Sequence, residues 1–530
     1  MNEQQYRALC DACDRLLLAP ETTPERIAIA WLHLVREHPT FLQHYTDLFE
    51  PGGVIGHRLS RVVRTFAFLV GYWRQCIKWL ASGGIPWFAT KLDPAPTDVL
   101  FLSHLLSSSH QDQQDDFYFG HVPADLARTG ISTGIALINH TNIHPRQLAL
   151  RFVSTAVPRF ILTNSLSMAD EFNLRQRLAS EKQKLRTLVT DLPLGLEKQV
   201  AARAVIETMS SATLGNLRIG YQVAILVQKL QPKAVVVTHE GHAYERIAFY
   251  AARSVLPNIT CIGYQHAAIF QYQHAIRRKL APKYNPDYVL TAGVVAQSQL
   301  LGSNTLGGIP ISVLGSTRIA KTPANSNIKS AATRDPTDVK RFGCVVLPEG
   351  TESECQLLFA FAIECALALP NINFVWRLHP LISFKSLLKR NRRLRERTPN
   401  IELSDRTLEE DIGRCHLALY RGTTAVVQAV MGGLTPIYLQ MRGEMTIDPL
   451  YEVEKGKFIV RTPEEFSEVI GTPGDTINGA TEQDRAELVD YCSRFYVPMD
   501  FRVLEKIIRD APERAQANTA ERNPEPPSPF

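Results

Sequence analysis

The sequence predicts an α/β protein of two parallel-sheet domains facing each other across a cleft, with a helical region at the N-terminus. Three observations predict it. The chain has 530 residues, too many for a single hydrophobic core and enough for two α/β domains with an appendage. Short apolar runs alternate with helix-forming segments, twice over, as the buried strands of parallel sheets do. Between the two series, residues 322–338 are rich in Ala, Ser, Asn, Lys and Pro and lack apolar periodicity, which reads as an interdomain linker.

Residues 1–92 read as a helical accessory region. Ile27, Ala30, Trp31, Leu34 and Val35 recur at helical spacing until His38 and Pro39 break the pattern. The first Rossmann-like domain, 97–318, opens with the run Val99, Leu100, Phe101 and Leu102, which ends at Ser103 and His104. Its further strands are expected at 134–138, 159–162, 234–238, 260–264, 288–291 and 311–314. The second Rossmann-like domain, 340–480, has strands expected at 344–347, 374–378, 417–420 and 436–439. A helical region, 481–513, includes an amphipathic helix near 482–495, and the Pro-rich tail 514–530 is expected to be disordered.

Composition narrows the class. Hydrophobic residues make up 45% and charged residues 21%, ordinary for a globular chain. The net charge of +5 comes from 58 basic and 53 acidic residues, too slight an excess to imply nucleic acid as a partner. One local concentration, Lys385, Lys389, Arg390, Arg392, Arg393, Arg395 and Arg397, reads as a solvated helix face or as a surface for phosphates or anionic lipid. The cysteines are scattered; Cys10 and Cys13 form a lone C-x-x-C without zinc or redox context, and the whole suits a reducing compartment. The N-terminus has no signal-peptide pattern, so a cytoplasmic location is expected, with the inner face of the membrane left open. The apolar run 66–73 is too short to span a bilayer. With Trp79 and Trp87 it reads either as a packing helix or as a peripheral membrane contact.

In parallel sheets ligands sit beyond the carboxyl ends of the strands, and four such ends carry polar residues suited to chemistry. The first runs Thr238-His239-Glu240-Gly241-His242, followed by Tyr244, Glu245 and Arg246. The second, Leu347-Pro348-Glu349-Gly350-Thr351, turns at glycine into a helix whose first amides can hold phosphate. The third is Arg377-Leu378-His379-Pro380, where an imidazole can donate a proton or hydrogen bond to a departing phosphate; His144-Pro145 shows that the dipeptide also arises elsewhere. The fourth, Arg421-Gly422-Thr423-Thr424 with Gln428, offers two hydroxyls that can cap a helix or bind phosphate.

The order of these ends resembles the bacterial sialyltransferases and related Kdo transferases, glycosyltransferases of the GT-B fold. Their pattern is an acidic-acidic-glycine motif in the first domain, then His-Pro and a Ser/Thr pair in the second. Here His239-Glu240-Gly241, His379-Pro380 and Thr423-Thr424 correspond. The resemblance implies a nucleotide-sugar donor, CMP-linked on the family's pattern, and a glycan or protein hydroxyl as acceptor. It implies Glu240 as base, His379 as the group assisting nucleotide departure, and Thr423 and Thr424 as phosphate ligands. His239 stands where the family has a carboxylate, so His242 and Glu245 rival Glu240, and Gln428 stands where many such enzymes hold the ribose with a carboxylate. The stretch from Glu240 to Arg246, with Gly263-Tyr264-Gln265-His266, is also similar to surface-carbohydrate biosynthesis proteins over about 97–460.

No D-x-D follows a strand and no third ligand joins His239 and His242, so neither a metal nor another cofactor is expected. Helix-start amides and basic residues such as Arg377 would neutralise the leaving phosphate instead. A polyol-phosphate transferase with a CDP-linked donor, a nucleotide-sugar 2-epimerase and a noncatalytic nucleotide-binding assembly protein are the competing readings.

Overall fold

The computed structural model describes residues 1–49, 85–89, 95–107, 114–141, 143–152, 155–319, 342–379, 382–395, 398–470 and 481–518, with side chains as far as 510. The expected linker 322–338, the apolar run 66–73, Trp79, Pro380, Arg397 and the end of the tail lie outside the described residues.

Two sheets form the body, and the expected fold class is the one observed. The first has eight strands in the order β1-β4-β3-β2-β5-β6-β7-β8. They are β1 (Trp87–Ala89), β2 (Val99–Leu105), β3 (Thr133–Asn139), β4 (Arg159–Leu162), β5 (Ala234–Thr238), β6 (Thr260–Gln265), β7 (Tyr288–Thr291) and β8 (Ile311–Val313). All neighbours pair parallel except β1, which runs antiparallel to β4 with Trp87 opposite Leu162. Trp87, expected in a helix, therefore sits in an edge strand; three residues are too few to show alternation.

The second sheet is parallel throughout, in the order β11-β10-β9-β12-β13-β14. Its strands are β9 (Phe342–Leu347), β10 (Ile372–Trp376), β11 (Ile401–Leu403), β12 (Leu417–Tyr420), β13 (Thr435–Leu439) and β14 (Phe458–Val460). This is the 3-2-1-4-5-6 order of a Rossmann-like domain, and the central strands of the first sheet repeat it.

Near-continuous apolar strands are covered on both faces. Val99, Phe101, Val236 and Ile262 point into one layer, whereas Leu100, Leu102, Val235 and Val237 point into the other. In the second sheet Val345, Leu347 and Tyr420 oppose Cys344, Val346 and Leu419 in the same way.

The N-terminal helices are not a separate unit. Leu9, Cys13, Ile27 and Leu32 share one core with Leu178, Leu185, Leu214, Leu217 and Ile247 of the first domain. The chain also returns at its far end. After the helix Glu482–Ser493 it recrosses: Ser316 N–H donates to Val497 O at 2.8 Å and Asp500 N–H to Leu314 O at 2.8 Å. The helix Phe501–Asn518 then packs Leu504 and Ile508 against Phe101, Phe119 and Ile135.

Each sheet has one place where its winding reverses: between β2 and β5 in the first, between β9 and β12 in the second. Loops leaving neighbouring strands in opposite directions open a crevice there, where ligands of such sheets bind. Three of the four polar strand ends, those of β5, β9 and β12, fall at these reversals, and the third, after β10, adjoins β9.

Candidate functional site

At the end of β5 the chain folds around a buried carboxylate. Both oxygens of Glu245 accept from Glu240 N–H at 3.0 Å, and Oε2 also accepts from Gly241 N–H at 2.7 Å and His242 N–H at 2.9 Å. His239 Nδ1 lies 2.9 Å from the same Oε2, and its ring is fully buried beneath Gly263. Gly241 has φ +91°, and a Cβ there would lie 2.3 Å from the carbonyl carbon of Ala275. Only glycine makes this turn.

The turn separates the residues singled out in the sequence. His239, Glu245 and Arg246 lie below the surface, each fully buried. Arg246 is held by Asn285 Oδ1 at 3.0 Å and by the carbonyls of Ala275 and Arg278. Their bonds make them supports of the turn, so Glu245 is corrected from a rival base to the cap of the helix Ala243–Val255. Glu240, buried against Arg36, and the more exposed His242 turn away from these supports, with His242 Nε2 at 3.3 Å from Glu240 Oε2.

Burial alone would raise the Glu240 carboxyl. The Arg36 guanidinium and the hydrogen bond and charge of His242 outweigh it and hold the carboxyl well below the usual carboxylate range. Burial lowers the His242 imidazole, but the bond to Glu240 and the charges of Glu245 and Glu240 raise it overall.

Beside this turn stand imidazoles from the ends of β2, β3 and β6, with the phenols of Tyr118 and Tyr244. His104 Nδ1 meets His140 Nε2 at 2.9 Å, and its Nε2 meets Tyr244 Oη at 2.9 Å and Thr238 Oγ1 at 3.2 Å. The Tyr118 and His266 rings lie 4.3 Å apart. Burial pulls His104 down to about 3 and His266 down to about 4, so both are neutral at neutral pH. Gln265 is buried and bonds through its amide nitrogen to Ala267 O.

On the facing domain, Gly350 lets the chain pass against His379: a Cβ at Gly350 would lie 3.0 Å from His379 Cε1 and Nδ1. Thr351 Oγ1 accepts from Glu354 N–H at 3.3 Å and caps the helix Glu352–Ala368. Burial lowers the His379 imidazole, Glu349 counters this and Arg318 adds to it. Strand β10 ends at Trp376, so His379 lies three residues beyond it, outside regular structure, instead of sitting directly at the strand end. Thr423 Oγ1 accepts from Ala425 N–H at 3.3 Å, while Thr424 makes no side-chain cap bond, and Gln428 is half-buried in the helix Ala425–Met431.

Arg377 is engaged elsewhere. Its Nη1 donates to Asp411 Oδ2 at 2.6 Å and to Arg406 O at 2.8 Å. To neutralise a leaving phosphate, as expected of it, Arg377 would have to share or give up this carboxylate. Arg421, fully buried, is likewise held by Glu354 Oε2 at 2.7 Å and by Glu444.

The two domains meet through residues that the sequence reading did not single out. Arg36 Nη2 lies 3.2 Å from both oxygens of Glu240, and its Nη1 lies 3.6 Å from Glu349 Oε1. His38 Nε2 is 2.6 Å from Glu349 Oε2, and Thr40 Oγ1 is 3.0 Å from Ser353 Oγ. The segment between the helical run and Pro39 thus laces Glu240 of the first domain to Glu349 of the second, one residue from the glycine on which His379 rests. The available signal was the charged run Arg36-Glu37-His38 at the point where helical periodicity stops.

Among the described residues, no helix is long and apolar enough to cross a membrane. No protein-family model matches the chain. No curated protein matches its sequence. Solved structures similar to it include the UDP-GlcNAc 2-epimerase from Neisseria meningitidis bound to UDP-GlcNAc, at 13% identity over 80% of this chain and 100% of that one, with a TM-score of 0.41. MurG from Acinetobacter baumannii matches at 11% identity over 78% of this chain and 100% of that one, TM-score 0.44. A UDP-forming α,α-trehalose-phosphate synthase from Burkholderia vietnamiensis matches at 10% identity over 81% and 99%, TM-score 0.44. The fold class rests on the two strand orders themselves: the chain is an α/β protein of two Rossmann-like domains facing each other across a cleft.

Proposed function

We propose that this protein is a glycosyltransferase that moves a sugar from a nucleotide-activated donor, CMP-linked on the pattern of the resembled family, to a hydroxyl of a surface glycan or protein. The observation that carries the reading is the convergence of Glu240 and His379, from opposite domains, on one charge network: Glu240 to Arg36 at 3.2 Å, Arg36 to Glu349 at 3.6 Å, and His379 against Gly350.

In the reaction the acceptor hydroxyl loses its proton to the Glu240 carboxylate as its oxygen bonds to the anomeric carbon. The bond from that carbon to the phosphate oxygen breaks, and the electron pair leaves with the nucleotide. His379, kept neutral by burial, donates its N–H to the departing oxygen, with Thr423, Thr424 and the amides following Gly350 around the phosphate. A carboxylate with a lowered pKa is a weak base, so the proton moves late, once bonding to the anomeric carbon has made the hydroxyl acidic.

Glu240→Gln and His379→Ala are each expected to lower turnover about 10²–10⁴-fold, measured as nucleotide release that requires both donor and acceptor. Unchanged turnover in both variants removes the mechanism. Mass analysis of the product separates glycosyl transfer from transfer of a polyol phosphate.

One observation favours a second reading, a noncatalytic nucleotide-binding assembly protein. Arg36 engages both oxygens of the carboxylate that would act as base. Tight nucleotide binding without turnover over a broad panel of donors and acceptors selects that reading.

We also infer peripheral contact with an anionic membrane. Lys385, Lys389, Arg390, Arg392, Arg393 and Arg395 are exposed, and Arg390 is paired with Glu352 at 3.0 Å. Co-sedimentation with phosphatidylserine vesicles that falls with salt, and fails with neutral vesicles, is the expected result.

A further inference from the structure

The arginines around the cleft differ in what they already hold. Arg36 lies on Glu240 and Glu349, Arg377 on Asp411, and Arg421 on Glu354 and Glu444. Moving any of them to a ligand leaves a buried or half-buried carboxylate uncompensated. Arg318 is different. It is half-buried, and among the described residues its guanidinium makes no hydrogen bond or ion pair.

Its place is fixed all the same. Arg318 N–H donates to Ser316 Oγ at 3.1 Å, and Ser316 N–H donates to Val497 O at 2.8 Å. Tyr264 Oη donates to Gly315 O at 2.8 Å. The Thr317 methyl fills the space beside Gly120, 2.5 Å from where a Cβ would stand. The loop after β8 is thus pinned from three sides, next to Gly120 and Tyr264 at the end of the first sheet.

The charge of Arg318 acts on Tyr118 and His266 of the first domain and on His379 of the second. Nearby, His266 Nδ1 and the Oε1 of the buried Gln265 are enclosed without a hydrogen-bond partner. A guanidinium carried on a pinned backbone, with donors open among the described residues and beside two neutral imidazoles, suits the planar, two-point recognition of a phosphate.

We propose that Arg318 reads the anion of the substrate: its guanidinium receives the phosphate of the nucleotide-activated donor, flanked by His379 and His266. The proposal rests on the nucleotide-sugar reading of the cleft, and it assigns to Arg318 the role the sequence pattern suggested for Arg377.

The test uses the full chain and its Arg318→Gln and Arg318→Lys variants, with binding measured by calorimetry and thermal shift for CMP, CDP, UDP and GDP. Cytidine, uridine and inorganic pyrophosphate serve as probes of the uncharged and the purely anionic parts. Nucleotide Kd is expected to rise about tenfold or more in Arg318→Gln, less in Arg318→Lys, with nucleoside affinity unchanged and ligand-free Tm retained. Equal nucleotide Kd in wild type and Arg318→Gln overturns the proposal. If Arg318→Gln fails to fold, unweakened binding by Arg318→Lys overturns it, because a point charge does not replace the fork. If pyrophosphate binds wild type in an Arg318-dependent way and no nucleotide does, the anion site stands and the nucleotide reading falls. If no anion binds wild type, both fall.

Discussion

Glu37 shows how much a single buried atom can set. It lies between Arg36 and His38, is 1% exposed, and takes Tyr272 N–H on one oxygen at 2.9 Å while the other has no partner. Burial pushes its carboxyl up to about 7. Because the folded value exceeds the unfolded one, near 4.5, its contribution to stability is fully present below the unfolded value and is lost as pH rises through 7. The loss is of the order of 3 kcal/mol. Glu37→Gln is therefore expected to raise Tm relative to wild type at pH 8 and to leave it nearly unchanged at pH 5, as read by calorimetric scans at the two pH values. Gly241→Ala is a sharper change, combining a left-handed φ with an overlap on Ala275. It should cost at least about 2 kcal/mol in denaturant titration and displace Glu240 with it.

At the scale of elements, the turn 238–242 depends on the Glu245 cap as well as on Gly241. Glu245→Gln removes the charge that gathers the N–H groups of residues 240, 241 and 242. It is expected to cost about 3 kcal/mol, with the effect on Tm matched by faster hydrogen exchange at 240–242. The same element explains what was legible from sequence. Strands buried on both faces announce themselves as apolar runs, and β4, β5, β7 and β12 have the bounds that their runs suggest. The edge strands β1, β11 and β14 have only three residues each, too short for a period. Glu240 and His379 could be singled out because they follow such runs. Arg36 and His38 stood out only as a charged run where helical periodicity stops, and Arg318 not at all, since each belongs to a connecting segment whose position is set by packing between distant parts of the chain. The role of Glu245 was hidden for another reason: a base and a cap have the same composition, and only the direction of the carboxylate distinguishes them.

At the scale of the whole molecule, the first domain is not continuous in the chain, whereas the second is. The N-terminal helices pack on the helices of the first domain, and its sheet is covered on one face by Leu504 and Ile508 from the far end. Leu504→Asp, placing a charge against Phe101 and Phe119, should destabilise the first domain by several kcal/mol while touching no cleft residue. Limited proteolysis should then release fragments of the first domain before those of the second. The recrossing at 497–500 also has a consequence for synthesis. A ribosome delivers β2 and its neighbours hundreds of residues before the helix that closes over them, whereas β9 to β14 are followed at once by their own cover. The second half can therefore mature while the first still shows Phe101, Phe119 and Ile135 to water. For that interval the nascent chain offers a greasy surface for chaperones to hold.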